Sequence, residues 1–338
     1  MVARVAVMQP LPGIGDVIWH LPHVRAIADH VGAPVTLIAK PRSAADQLFR
    51  AEQSVRDVMW LDRNPEQRHG RHDGPFGLVR FVRNLRARRF DAVYLLHHSQ
   101  TLAFATMAAG IPARFGYGFR LQRLALNRPP FLSASALRLD PHRQATAWLA
   151  AAAIPLDDTE PRLAVDRLAR EKMIGWIGGE AIVAIGIGSS EPYKQWGAER
   201  FAVLVAELIA SGWPSVVLVG GSAETDLAND IIARLGERAQ VVRLAIGWDL
   251  YELAALFACA AFYVGNDTGV MNLAAAVGTS SFGLFGATPP LWHSARIVPI
   301  TPPGGIDMDN GMSRITPQAV LAAITVHQPV AIPETVAR

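Results

Sequence analysis

Two charged side chains stand where a glycine- and proline-rich turn enters a helical pattern: Asp16 after Q-P-L-P-G-I-G, and Lys194 inside G-I-G-S-S-E-P-Y-K-Q-W-G. A carboxylate at the first turn of a helix can take a proton from a hydroxyl, and a compact ammonium can neutralise phosphate oxygens. An N-cap is the ordinary alternative for Asp16, and a solvated surface cation the ordinary one for Lys194. A third stretch, V-G-N-D-T-G-V-M-N-L-A-A-A-V-G, sets Asp267 and Thr268 before a helix they can cap, with Gly269 at its start. First-turn amides and the helix dipole make that turn an anion site. The Ser189 and Ser190 amides, with those of Thr268 and Gly269, are the expected place of a diphosphate. Gly221 closes a G-G-S turn, and Glu224 after it can accept ribose hydroxyl protons or simply favour the dipole of its own helix.

Such residues act together only if strands carry them to one edge. In the first half, runs at 5–8, 35–39, 55–61, 91–96 and 113–117 read as strands, those at 5–8 and 91–96 buried, and Val17, Ile18, Leu21, Val24 and Ile27 recur with helical spacing. His97 and His98 close the 91–96 strand, at the edge that carries Asp16. Arg114 and Arg120 lie in the basic, aromatic segment R-F-G-Y-G-F-R, which suits contact with an acceptor. The polar segment 62–75 reads as an exposed loop, so His69, His72 and Asp73 are taken as solvated polarity rather than a metal cluster. The pattern restarts after P-L-D-D-T-E-P, with strands at 182–185, 216–219, 241–242 and 262–264. Three glycine loops (186–190, 220–222 and 265–269) then end strands of one sheet, where open α/β sheets bind nucleotides. The expectation is an α/β chain of two Rossmann-like parallel-sheet domains, 1–158 and 159–315, followed by a helix and tail at 316–338 that return to the first domain.

Composition bounds the rest. With 51% hydrophobic and 18% charged residues among 338, the chain is globular, and it is long enough for two cores. Its formal charge of +3 conceals a basic half: residues 1–160 hold 20 Lys and Arg against 13 Asp and Glu. An anionic glycolipid or membrane surface fits that sign. Nucleic acid fits it too, but no aromatic-basic ladder or DNA-reading motif accompanies the charge. Part of the excess is one helix face carrying Arg80, Arg83, Arg86, Arg88 and Arg89. The single cysteine, Cys259, excludes an internal disulfide and reads as a small core residue in an apolar helix. Residues 1–8 follow a strand pattern rather than a signal peptide, and apolar runs break before membrane-spanning length, so a cytoplasmic protein is expected.

The motifs G-I-G-D-V-I-W-H-L-P, E-P-Y-K-Q-W-G-A-E-R-F, G-G-S-A-E, N-D-T-G-V-M-N-L-A-A-A-V-G and L-F-G-A-T-P-P together resemble the ADP-heptose:lipopolysaccharide heptosyltransferases, family 9 glycosyltransferases of the GT-B fold. The likeness runs over residues 4–325. It implies two Rossmann-like domains facing across a cleft, and inverting, metal-independent transfer from a nucleotide-sugar donor such as ADP-heptose to a saccharide or anionic glycolipid acceptor. On that resemblance Asp16 is the base and Lys194 the phosphate contact. Glu224 meets the ribose, and Asp267, Thr268 and Gly269 meet the sugar and diphosphate. Gly15, Ser189, Ser190, Gly221 and Asn272 complete the donor site, and the first domain touches the inner membrane surface. Two positions depart from the family pattern. Asn272 replaces a His and cannot carry charge near neutral pH, while Gly311 replaces a Cys at a packing position. A sugar-nucleotide epimerase and a non-catalytic nucleotide-sugar binder are the alternatives. A Rossmann oxidoreductase fits less well, because G-I-G-D lacks the third glycine of that fingerprint.

Overall fold

In a parallel sheet covered on both faces, central strands bury every side chain rather than alternate ones. The computed structural model describes residues 3–64, 66, 69–189, 191–290 and 293–327. In it β1 (Val5–Gln9) and β2 (Val35–Ala39) are buried at every position, whereas β3 (Val55–Trp60) is half-exposed. With β4 (Ala92–Leu95) and β5 (Ala113–Gly116) they form a parallel sheet of order β3-β2-β1-β4-β5. Val7 lies between Leu37 and Tyr94 in register. On one face, buried Trp148 meets Tyr94 edge-on at 5.9 Å and donates its indole N–H to Pro130 O at 3.1 Å.

The second sheet has the order β11-β10-β9-β6-β7-β8, all parallel. Its strands are β6 (Ile182–Gly186), β7 (Ser215–Gly220), β8 (Val242–Ile246), β9 (Ala260–Asn266), β10 (Ser281–Leu284) and β11 (Ile297–Ile300). Strand β8 extends beyond the expected pair of valines. Strand β11 has no counterpart in the sequence reading, because I-V-P-I carries a proline; the edge position explains it, since Pro299 has no outward ladder bond to lose.

Contacts divide the chain at Pro161 and Arg162, three residues beyond the expected boundary, so the proline-rich linker stays with the first unit. The final helix, Pro317–His327, was expected to return to the first domain. Instead Val320 and Ile324 lie in the second unit's core with Phe282 and Leu284, and residues 328–338 of that expectation lie outside the described residues. Cys259 is buried as expected, but in the turn between helix Leu250–Phe257 and β9.

In the 62–75 segment residues 65, 67 and 68 lie outside the described residues and His69 is exposed as expected, but His72 and Asp73 differ from the solvated polarity expected. His72 is buried, its Nδ1 accepts from Asp62 N at 3.1 Å, and Asp73 accepts from the Asn64 and Gly70 amides. These side chains meet backbone amides that would otherwise lack a partner.

Gly311 has a direct packing reason. A Cβ there would fall 1.9 Å from Gly286 O, the glycine of L-F-G-A-T-P-P, so the two backbones touch. Gly311→Cys is expected to lower stability by about 2 kcal/mol, the usual range for forcing atoms into a filled site. A fall in the thermal midpoint without loss of secondary structure checks this, and an unchanged midpoint would refute the contact.

Candidate active site

In an open parallel sheet, ligands collect beyond the carboxyl ends of the strands at the point where the strand order reverses. The first sheet reverses between β1 and β4, and the second between β6 and β9. Asp16 follows β1 and His97 and His98 follow β4. Lys194 follows β6, and Asp267, Thr268 and Gly269 follow β9. Topology therefore sorts the sequence candidates into two sets, one on each unit.

Asp16 occupies the third position of helix Ile14–Val31, and its Oδ2 accepts from Gly13 N at 2.8 Å. Gly15 sits beside it, buried in the same turn. Burial raises the Asp16 pKa above the ordinary carboxylate value, and the Gly13 amide, His20 and Lys40 partly reverse that shift. A carboxylate so placed holds its charge less comfortably than one in water and takes up a proton more readily, which is the property of a general base.

His20 and Lys40 escaped the sequence reading. His20 lies one turn after Asp16, with its Nδ1 2.7 Å from Asp16 O. It stands in a buried group with His23 and His142, whose rings lie 4.8–6.2 Å apart between centroids. Lys40 immediately follows β2 and acts electrostatically on both Asp16 and His97. The spacing D-x-x-x-H and a cation directly after a buried strand were the available signals.

His97 and His98 stack at 4.3 Å, and His97 Nδ1 accepts from Ser99 N at 3.0 Å. Burial, then His98, Lys40 and His20, push the His97 imidazole down to about 3, so it is neutral near pH 7. Exposed His98 and Arg120 share a cavity of about 230 Å3 with Phe119 and Gln144. Arg114 is differently placed: its guanidinium is committed to Ala125 O at 2.6 Å and Ile111 O at 2.5 Å, so it braces β5.

In the second unit Lys194 Nζ donates to Asp267 Oδ2 at 2.7 Å, and Thr288 Oγ1 donates to the same oxygen at 2.7 Å. Asp267 is thus held by its own unit rather than capping the helix after it. Thr268 is the N-cap of Gly269–Ala276 but makes no side-chain cap bond. Asn272 Nδ2 returns to Thr268 O at 3.0 Å, so this position steadies the turn with a neutral amide. The lysine loop is fixed by three further side chains. Trp196 is buried and donates to Ile315 O at 2.9 Å, Gln195 donates to Ile187 O at 2.9 Å, and Asn266 Nδ2 donates to Gly188 O at 3.0 Å.

Glu224 Oε2 accepts from Gly221 N at 2.8 Å within the β7 loop, and a Cβ on Gly188 would fall 3.5 Å from that same oxygen, so the carboxylate lies close beside the β6 loop. Ser189 Oγ turns to Glu191 O at 2.8 Å, and Ser190 lies outside the described residues. Two of the glycines that suggested a nucleotide loop have another cause. A Cβ at Gly186 or Gly265 would fall 1.7 Å or 2.4 Å from the Tyr263 hydroxyl, so the buried tyrosine requires both.

Comparison with known proteins bears on the family and the fold. The model of glycosyltransferase family 9 (heptosyltransferase) matches residues 78–301. Lipopolysaccharide heptosyltransferase 2 of Escherichia coli K12 is 30% identical over 240 residues, which cover 64% of this chain and 66% of that protein. The structure of E. coli ADP-heptose lipopolysaccharide heptosyltransferase II superposes with a TM-score of 0.75 at 22% identity, covering 96% of this chain and 98% of the other. E. coli heptosyltransferase WaaC with ADP-2-deoxy-2-fluoro heptose gives 0.74 at 20% identity, covering 96% and 99%.

Two outcomes follow from the electrostatics. Lys194→Ala strands Asp267, a mostly buried carboxylate, and is expected to cost about 3 kcal/mol, whereas adding Asp267→Asn recovers much of it; thermal or denaturant midpoints of the single and double variants measure this coupling. His23, like His97, is held neutral by burial, well below the usual imidazole range. The unfolded chain takes up these protons first, so stability is full above about pH 6.5 and falls at lower pH by up to about 1.4 kcal/mol per unit for each group. Melting curves between about pH 7 and about pH 5 should show this slope, and His23→Gln should flatten it.

Proposed function

The chain belongs to glycosyltransferase family 9, and from that membership we propose that it moves a heptose from ADP-heptose to a saccharide of a lipopolysaccharide core or a related anionic glycolipid. The observation that carries the reading is Asp16, a partly buried carboxylate with a raised pKa at the switch point of the first sheet. Nucleotide-sugar chemistry needs a base on the acceptor side and charge neutralisation on the donor side. The second unit offers the latter in Lys194 and the helix start at Gly269.

The acceptor hydroxyl gives its proton to an Asp16 carboxylate oxygen as its own oxygen attacks the anomeric carbon. The bond from that carbon to the diphosphate breaks with its electron pair, and ADP leaves. Attack opposite the leaving group inverts the anomeric centre. An ammonium has three donors, and Lys194 gives one to Asp267, leaving the others for phosphate oxygens. The amides beginning at Gly269 receive the second phosphate. Glu224, with one oxygen on Gly221, turns the other to the ribose. This division assigns the departing charge to protein groups rather than to a metal ion. His98 and Arg120 meet the acceptor at the first unit's cavity, and the reaction takes place at the cytoplasmic face of the inner membrane. Among the described residues, no helix is long and apolar enough to cross a membrane.

Asp16→Asn is expected to reduce transfer by about 10²–10⁴-fold while ADP affinity, measured by calorimetry, stays within about twofold. Because Asp16 is destabilised as a carboxylate, the Asn variant should be at least as stable as the parent at neutral pH. Parental turnover by the variant would remove Asp16 from the base role. A clear response to another nucleotide sugar with none to ADP-sugars would remove the donor assignment.

A further inference from the structure

Helix Gly74–Arg88 turns Gly77, Phe81 and Leu85 inward and leaves a distinctive outer stripe. Phe76 is 88% exposed and Val79 49% exposed, and they recur with Arg80 and Arg83 at helical spacing on one face. The segment 74–89 contains five arginines and neither Asp nor Glu. An acidic side chain stands just before it, at the N-cap Asp73, but its carboxylate is bonded to the Asn64 and Gly70 amides. Arg86 donates to Ala108 O at 2.6 Å and Arg88 pairs with Asp57 at 2.6 Å, so those two are engaged by the fold. Arg80 and Arg83 take part in no ion pair among the described residues. Beside the stripe a groove of about 640 Å3 is lined by Trp60, Arg71, Arg80 and Arg88, with Asp62 as its one acidic side chain.

Each feature alone is ordinary. In combination they are selective, because a fully exposed phenylalanine gains nothing in water and arginines gathered around it repel one another. A phospholipid surface satisfies both kinds of group, taking the aromatic ring below the phosphates and the guanidiniums level with them. Nucleic acid would meet the charge but not the apolar wedge. We propose that helix Gly74–Arg88 docks the first unit on an anionic phospholipid surface, with Phe76 and Val79 inserted and Arg80 and Arg83 on lipid phosphates. The proposal rests on the glycolipid-acceptor reading above only in explaining why such docking would be useful.

Flotation of the full chain with two kinds of vesicle tests it: phosphatidylethanolamine with phosphatidylglycerol, and phosphatidylcholine alone. The parent should float with the first and not with the second, and salt should weaken the binding. A basic residue near an anionic leaflet contributes about fivefold in partition, so Arg80→Gln with Arg83→Gln should lose about twenty-five-fold. Phe76→Ser with Val79→Ser should lose binding that low salt does not restore. Both pairs lie at the exposed surface, and unchanged melting curves and ADP affinity will show that they fold. Equal flotation by parent and variants, equal binding to phosphatidylcholine, or no binding to phosphatidylglycerol would overturn the docking face. So would a change of oligomeric state in the Phe76 and Val79 variant with unchanged flotation, since the stripe would then serve a second copy. Transfer to a delipidated acceptor separates this from the functional reading: its loss in the parent sinks the heptosyl assignment alone, and its persistence without vesicle binding sinks the docking alone.

Discussion

The ion pair between Lys194 and Asp267 links the turns after β6 and β9, the two parallel strands between which the order of the second sheet reverses, and much of that unit is arranged to keep it in place. A pair this poorly hydrated is stable only when its geometry is fixed and its spare valences are met. Thr288 meets one of them on Asp267. Trp196, Gln195 and Asn266 hold the lysine loop from three sides, through hydrogen bonds to backbone atoms of the segment before the last helix and of the β6 turn. A positive charge is thereby displayed at the sheet edge without a long, free side chain. In the reaction proposed above, phosphate would meet a cation whose position has already been fixed, so little ordering would be left for the moment of binding.

Asp16 is treated in the opposite way. The fold gives its carboxylate one strong backbone donor and then withdraws water from it, so proton affinity rises while the anion remains accessible. One unit thus steadies a charge and the other unsettles one. Both results come from the same construction, a buried parallel strand followed by a turn and a helix start. What differs is the side-chain company around the turn: Gly13, His20 and Lys40 in one case, Thr288 and Asn266 in the other.

Much of this was legible in the residues. Buried strands of valine and isoleucine, helical spacing after each turn and the restart beyond Pro161 yielded the two sheets with their order of secondary elements, except for β11. Asp16 and Lys194 were identifiable because turn chemistry marks strand ends. Pairings made across the sheet were not legible. Nothing in D-T-G says that Asp267 faces a lysine seventy-three residues earlier, and nothing in R-F-G says that Arg114 spends its guanidinium on two carbonyls of its own neighbourhood. Glycines misled in one respect, since at Gly186 and Gly265 their bareness accommodates Tyr263 as well as any ligand. His72 was hidden because a polar, glycine-rich segment gives no sign that its imidazole will be buried to serve the Asp62 amide.

The meeting of Gly286 and Gly311 differs from the other contacts in being made by main chain on both sides. No rotamer can be adjusted to relieve it, and no smaller residue exists. In a lineage descending from this sequence, a side chain could be gained at either position only after the opposite loop had moved away. The two sites should therefore drift together, and the order in which their substitutions arise should be constrained.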